Sequence, residues 1–266
     1  MLRDVLLKTL RDQRRSYAAW CLSVVLLVAM YVALWPSIRD QPSMQDFLDQ
    51  MPQALRNLLA TSGADMSTPV GYIQVEFLSF MGPILVILYA VLAGSGAVAG
   101  EEDRRTLDLL LATPVARSRI VVDKAVAMVL GTLGLTTLLG VALLLEGTFV
   151  GLDLPAGKVA AAMLHLALLG LVFGALSLLV GAATGRLALS RGVPAFLAVV
   201  AYVVNGLGGL VSWLEPFQKL SPFFQYAGHD PLHAGVSWLG VTVAVATIAV
   251  LVVGGALAFE RRDVAS

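Results

Sequence analysis

Apolar residues in this chain do not alternate with polar ones at the two-residue period of a strand. They run on in long uncharged stretches, at 16–38, 77–100, 125–145, 159–185, 192–214 and 231–259. A helix that crosses the hydrocarbon core of a bilayer takes about 20 mostly apolar residues. Each stretch holds one such helix, placed at about 16–38, 75–99, 121–145, 159–184, 193–213 and 236–258. Alternating segments of about 10 residues, the mark of a membrane β-barrel, are absent. The pattern predicts one domain over 1–266, an all-α integral membrane bundle of six spans.

Polar segments divide the spans unequally. Residues 36–74 form a long loop with Pro36, Pro42, Pro52 and Pro69, and a short helix is predicted near 44–60. Residues 100–124 form a second long loop, and 215–235 a third. The segments near 147–158 and 186–192 are short. Ahead of the first span, Leu2, Val5, Leu6 and Leu10 share one helical face, with Arg3, Lys8, Arg11, Arg14 and Arg15 mostly on the other. A helix of that kind lies in the membrane interface, so residues 2–15 are expected to form an N-terminal interfacial helix.

Composition agrees with the pattern. Of 266 residues 58% are hydrophobic and 14% charged, against about half and a quarter in soluble domains. The formal net charge of zero argues against a nucleic-acid partner. Charge placement also sets orientation. Fourteen of the 18 Lys and Arg fall on the side that holds both termini; Arg39, Arg56, Lys158 and Lys219 fall on the other. Positive charge concentrates on the cytoplasmic face, so both termini are expected in the cytoplasm and the chain in the cell membrane. The N-terminal run lacks the short apolar core and cleavage site of a signal peptide. Cys21, the one cysteine, reads as a small buried hydrophobe.

Covalent chemistry has little to stand on. Residues 151–159, Gly-Leu-Asp-Leu-Pro-Ala-Gly-Lys-Val, are one residue too long for a phosphate cradle and carry Val159 where Ser or Thr would bind magnesium. They read as a turn before the fourth span. Gly94-Ser-Gly96 follows no strand and is no dinucleotide fingerprint. His165, His229 and His233 fit no metal spacing. Ionisable residues at membrane depth are candidates for function. Here Glu76, Glu146 and His165 lie near span ends and read as boundary residues reaching for headgroup water. Asn205 either breaks the fifth helix or bonds a neighbour. The pairs Gly96/Gly100, Gly170/Gly174 and Gly181/Gly185 allow helices to approach closely, within the chain or at a dimer seam.

The loop at 100–124 carries the strongest signal. Glu101, Glu102 and Asp103 open a helix, where acids favour the positive end of the dipole. Residues 106–112 form a short apolar helix, too short to span, and Pro114 ends it. Arg117, Arg119 and Lys124 follow. Such a segment suits a socket on a soluble partner, or an interfacial loop with none.

The run Gly-Glu-Glu-Asp-Arg-Arg-Thr-Leu-Asp-Leu-Leu-Leu-Ala-Thr-Pro-Val-Ala-Arg at 100–117 resembles the signature after the second span of ABC-2-type permeases. Leu-Ser-Pro-Phe-Phe-Gln-Tyr at 220–226, through Pro231-Leu232, resembles their outer element, and Phe-Glu-Arg-Arg-Asp at 259–263 their C-terminal ending. The resemblance covers the whole chain. It implies the membrane subunit of an ABC exporter, paired with a second permease chain, identical or related. A separate ATPase subunit would carry the ATP, so this chain would hold no cofactor and catalyse no covalent step. Residues 106–112 would be the coupling helix on that ATPase, with Glu101, Glu102, Arg105, Thr106, Leu107, Leu109, Leu110, Pro114 and Arg117 as its contact residues. Asn205, Ser221, Pro222 and Phe223 would serve the pathway or an outer gate. Two other readings of the same residues are a non-transporting membrane scaffold and an ion-coupled secondary transporter.

Overall fold

The computed structural model describes residues 5–39, 52, 66–107 and 115–262 of the chain. Among the described residues, six helices are long and apolar enough to cross a membrane, and no strand occurs. The long helices are α1 (Val5–Ile38), α2 (Pro69–Ala97), α4 (Arg117–Gly147), α5 (Ala156–Thr184), α6 (Leu187–Leu207) and α10 (Trp238–Arg261). Short helices fill the connections: α3 (Ala99–Asp103), α7 (Glu215–Gln218), α8 (Pro222–Ala227) and α9 (Pro231–Ala234). The expected all-α membrane bundle is the architecture found. The helix expected near 44–60 lies outside the described residues.

The bundle is built around α5. In its most apolar window 78% of the residues are buried, against 17% for α6 and for α10. Its glycines explain the central place. A Cβ on Gly174 would stand 2.9 Å from the Ala90 carbonyl oxygen of α2 and 2.8 Å from Met128 Sδ of α4. Small residues at these points let the α5 backbone approach both neighbours, which is how helices associate in lipid, where apolar burial alone gives little preference. The apolar side chains left exposed on α1, α6 and α10, among them Leu26, Phe196 and Val250, face the bundle's surroundings.

One expectation needs correction. Residues 5–15 are not a separate interfacial helix; they are the first turns of α1, uninterrupted from Val5 to Ile38. At 1.5 Å per residue the helix is roughly 50 Å long, well beyond a 30 Å hydrocarbon core. No glycine or proline interrupts the sequence before Pro36, so the helix propagates. Its apolar face meets protein: Val5 packs with Ile120 and Val115. The fifth long helix runs Leu187–Leu207. Arg186 is its extended first flank, and the chain turns after Leu207.

The helical hairpins turn on left-handed glycines. Gly151 (φ +69°) ends the 3-10 turn Thr148–Val150 between α4 and α5. The glycine-lysine run at 151–158 is therefore a turn and the start of α5, as its sequence suggested. Gly185 (φ +67°) caps α5, its N–H given to the Gly181 carbonyl at 2.9 Å. Such conformations suit glycine, which has no Cβ to clash.

Candidate functional site

Both described chain ends meet at one end of the bundle. There α3 turns back sharply. The Arg105 N–H bonds the Glu102 carbonyl and the Thr106 N–H bonds the Glu101 carbonyl, each at 2.9 Å. This is the double closure of a helix C-terminus whose turning residue is left-handed and usually glycine. Here Arg105 holds that place at φ 57°. A bulky side chain in this region is strained, and such strain gathers at functional segments.

Two of the three acids of α3, Glu101 and Glu102, point inward, and Asp103 is exposed. Glu101 accepts from Lys124 Nζ of α4 at 2.6 Å and from the Thr106 hydroxyl at 2.5 Å. Burial works against the Glu101 carboxylate, but the bonds from Lys124 and Thr106, with the charges of Lys124 and Lys8, outweigh it and hold the carboxyl below its usual range. Glu102 pairs with Arg262, just past α10. Arg262 also reaches the last carbonyls of α5, Ala182 at 3.2 Å and Gly181 at 3.4 Å. A cation at a helix C-terminus is favourable, because unpaired carbonyls face it. Arg117, the first residue of α4, donates to the Arg262 carbonyl at 2.8 Å and stands 5.9 Å from the Phe259 ring centroid. Leu107 is buried beside Val98, Ala182 and Phe259.

Of the residues expected to contact a partner, Glu101, Glu102, Thr106, Leu107 and Arg117 are thus gathered into one network within the chain. Leu109, Leu110 and Pro114 lie outside the described residues. Lys124 and Arg262 were not among the expected site residues. Arg262 lay within the C-terminal pattern, but no local spacing pairs it with Glu102.

At the opposite end, short helices fold back over the bundle. Ser221 caps α8, accepting from the Phe223 N–H at 3.2 Å, and its hydroxyl donates to the Ala201 carbonyl of α6 at 2.9 Å. Pro222 is the first residue of α8, where a missing N–H costs nothing. The Phe223 ring meets Tyr202 of α6 edge-on, centroids 5.3 Å apart, and lies 6.1 Å from Phe173 of α5. Asn205 does not break α6, which runs on to Leu207. Its carbonyl accepts from Gln218 Nε2 at 2.8 Å.

Between α2 and α6 lies a cavity of about 370 Å³, open on one side to the bundle's surroundings, where Ile84, Leu88 and Val199 are exposed, and lined deeper in by Pro83, Ile87, Ala198 and Phe223. Phe223 is the one expected site residue on its wall. His165 of α5 is buried, not reaching for headgroups: its Nε2 accepts from the Ser237 N–H at 3.1 Å. Glu146 Oε2 is enclosed with no hydrogen-bond partner. Among the described residues no group of His, Cys, Asp and Glu is placed to hold a metal.

The architecture defines a polytopic helical membrane protein, with a charged node at one end and an aromatic closure at the other. The family model described as "ABC-2 family transporter protein" matches residues 3–264, and the chain belongs to that family. It is accordingly a membrane permease of the ABC transporter type, a transport subunit whose family implies an ABC ATPase partner. No curated protein matches the chain.

Proposed function

We propose that this chain is the permease subunit of an ABC exporter, forming the substrate pathway and taking its energy from a separate ATPase chain. The observation that carries the proposal is the charged node. Residues 101–107 are tied to α4 through Glu101 and Lys124, and to α5 and α10 through Glu102 and Arg262. A push on this segment is passed to three long helices at once. Charge-assisted bonds in a partly buried site are stiff and strong enough to carry it.

In this reading residues 106–112 dock on the ATPase, with Leu109, Leu110 and Pro114 making the contact. Glu101, Glu102, Thr106, Leu107 and Arg117 hold the segment in place, and strained Arg105 sets its direction. The ATPase holds the ATP; this chain has no cofactor of its own. Two permease chains, identical or related, pair in the cell membrane with both termini in the cytoplasm. The apolar cavity between α2 and α6 suits an apolar or amphipathic cargo. Asn205, Ser221, Pro222 and Phe223 belong to its outer closure.

Leu110→Asp tests the docking role. A leucine lost from a protein pocket forfeits about 1.5–3 kcal/mol, and a stranded carboxylate adds to the loss. The variant is expected to insert normally, to lose the tagged ATPase in a pull-down and to stop transporting. A variant that expresses at wild-type level, retains the ATPase and still transports defeats the proposal. Transport that follows an ion gradient and ignores ATP defeats it as well.

A further inference from the structure

We infer that Tyr226 is a positioning residue that latches the outer closure to α2, by serving a backbone carbonyl that Pro83 leaves without a helical partner.

The first part of α2 is wound wide. Residues Ile73–Met81 form a π-helix, and the Gly82 N–H is given to the carbonyl five residues back, that of Phe77. The next carbonyl in this register belongs to Leu78, and its partner would be the N–H of residue 83. Residue 83 is proline, which has none. Leu78 is only 2% exposed, so water does not serve its carbonyl in this state. The Tyr226 hydroxyl does, at 2.8 Å, from 148 positions further along the chain. A π-helical stretch of this kind is rare and clusters at functional sites.

The location gives the bond its role. Tyr226 lies on α8, three residues after Phe223, which lines the cavity between α2 and α6. The same short helix is tied to α6 by the Ser221 hydroxyl and by the Phe223–Tyr202 ring contact. So α8 bridges the two walls of the cavity, with Ser221 and Phe223 on α6 and Tyr226 on α2. While the region is dry, letting go of Tyr226 leaves a buried carbonyl unserved, which is costly. Once water enters, it takes over the carbonyl and the cost falls. The latch therefore favours a closed dry state and yields when the outer end opens. Burial, and then the charge of Asp230, push the Tyr226 hydroxyl upward, which keeps its proton available for donation.

The inference rests on the permease reading for its meaning, but its test does not. In a Cys21→Ser background, Ile87→Cys places one thiol on the buried cavity wall, and a water-soluble thiol reagent is applied to the full chain in lipid bilayers. Tyr226→Phe, which removes only the hydroxyl, is expected to speed modification about fivefold, the factor one net hydrogen bond represents. Adding Pro83→Ala returns an N–H to the Leu78 carbonyl but does not rejoin α8 to α2. The double variant is expected to recover thermal stability and to keep the fast modification. Wild-type modification in Tyr226→Phe overturns the inference. So does a double variant that returns to the wild-type rate, because the hydroxyl then only satisfies a carbonyl. If Tyr226→Phe alone does not fold, the double variant decides by the same comparison. Transport by the assembled complex is measured separately, so failure of the pathway reading is visible apart from the latch.

Discussion

Glu102 and Arg262, separated by 160 positions in the chain, form an ion pair directly over Gly185. A Cβ on Gly185 would press into the Glu102 carboxylate and stand 2.6 Å from an Arg262 nitrogen. The glycine that turns the chain from α5 into α6 is also what leaves room for the pair.

Arg262→Glu sets two acids side by side and removes the cation from the end of α5. The variant is expected to lose about 1.5–3 kcal/mol, as for charge-assisted hydrogen bonds. Glu102→Arg with Arg262→Glu restores the pair but not the contacts to the Gly181 and Ala182 carbonyls, so recovery should be partial. Thermal unfolding of the single and double variants checks this. Complete recovery would show that those carbonyl contacts add nothing, and no recovery that the pair adds nothing.

The Glu101 carboxyl is held below its usual range, so its stabilising contribution is present above the unfolded value of about 4.3 and is lost as pH falls through the lower folded value. This pair should therefore add no pH dependence to stability from about pH 5 upward. Lys124→Met leaves Glu101 with burial and a weaker set of partners, and its carboxyl should rise. That variant is expected to lose stability as pH climbs from about 5, and Glu101→Gln in the same background should remove the slope. Unfolding midpoints across a pH series measure both effects.

Gly174→Ala inserts a methyl against the Ala90 backbone and should force α5 away from α2. Overpacking of this kind costs about 1–3 kcal/mol. Gly192 on α6 has open space at its Cβ position. Gly192→Ala should be neutral or stabilising by about 0.5–1 kcal/mol, because it only reduces backbone freedom. Equal unfolding temperatures for the two variants would contradict the close-approach argument.

Orientation is tested with single cysteines in a Cys21→Ser background. Ser118 lies at the end that carries the termini and Gly157 at the other. An impermeant thiol reagent added to intact cells should label Gly157→Cys and spare Ser118→Cys. The reverse result would invert the topology.

The sequence alone determined the membrane class, the six helices and the family. These rest on local quantities: runs of apolar residues long enough to span lipid, and the motif at 100–117. It also placed the turn at 151–158, because glycine and proline act through their own backbone dihedrals. It misjudged residues 5–15, whose amphipathic face fits a lipid interface and a protein groove equally well; only the neighbouring start of α4 decided between them. It gave His165 to the headgroups because no local pattern shows the Ser237 N–H that it serves. Tertiary structure alone joined Glu102 to Arg262, Lys124 to Glu101 and Tyr226 to the Leu78 carbonyl. Hydrogen bonds and ion pairs act over about 3 Å, and which residues come that close depends on how six nearly uniform apolar helices pack. That packing is set by where glycines let backbones touch, a relation between helices that no single stretch of sequence contains.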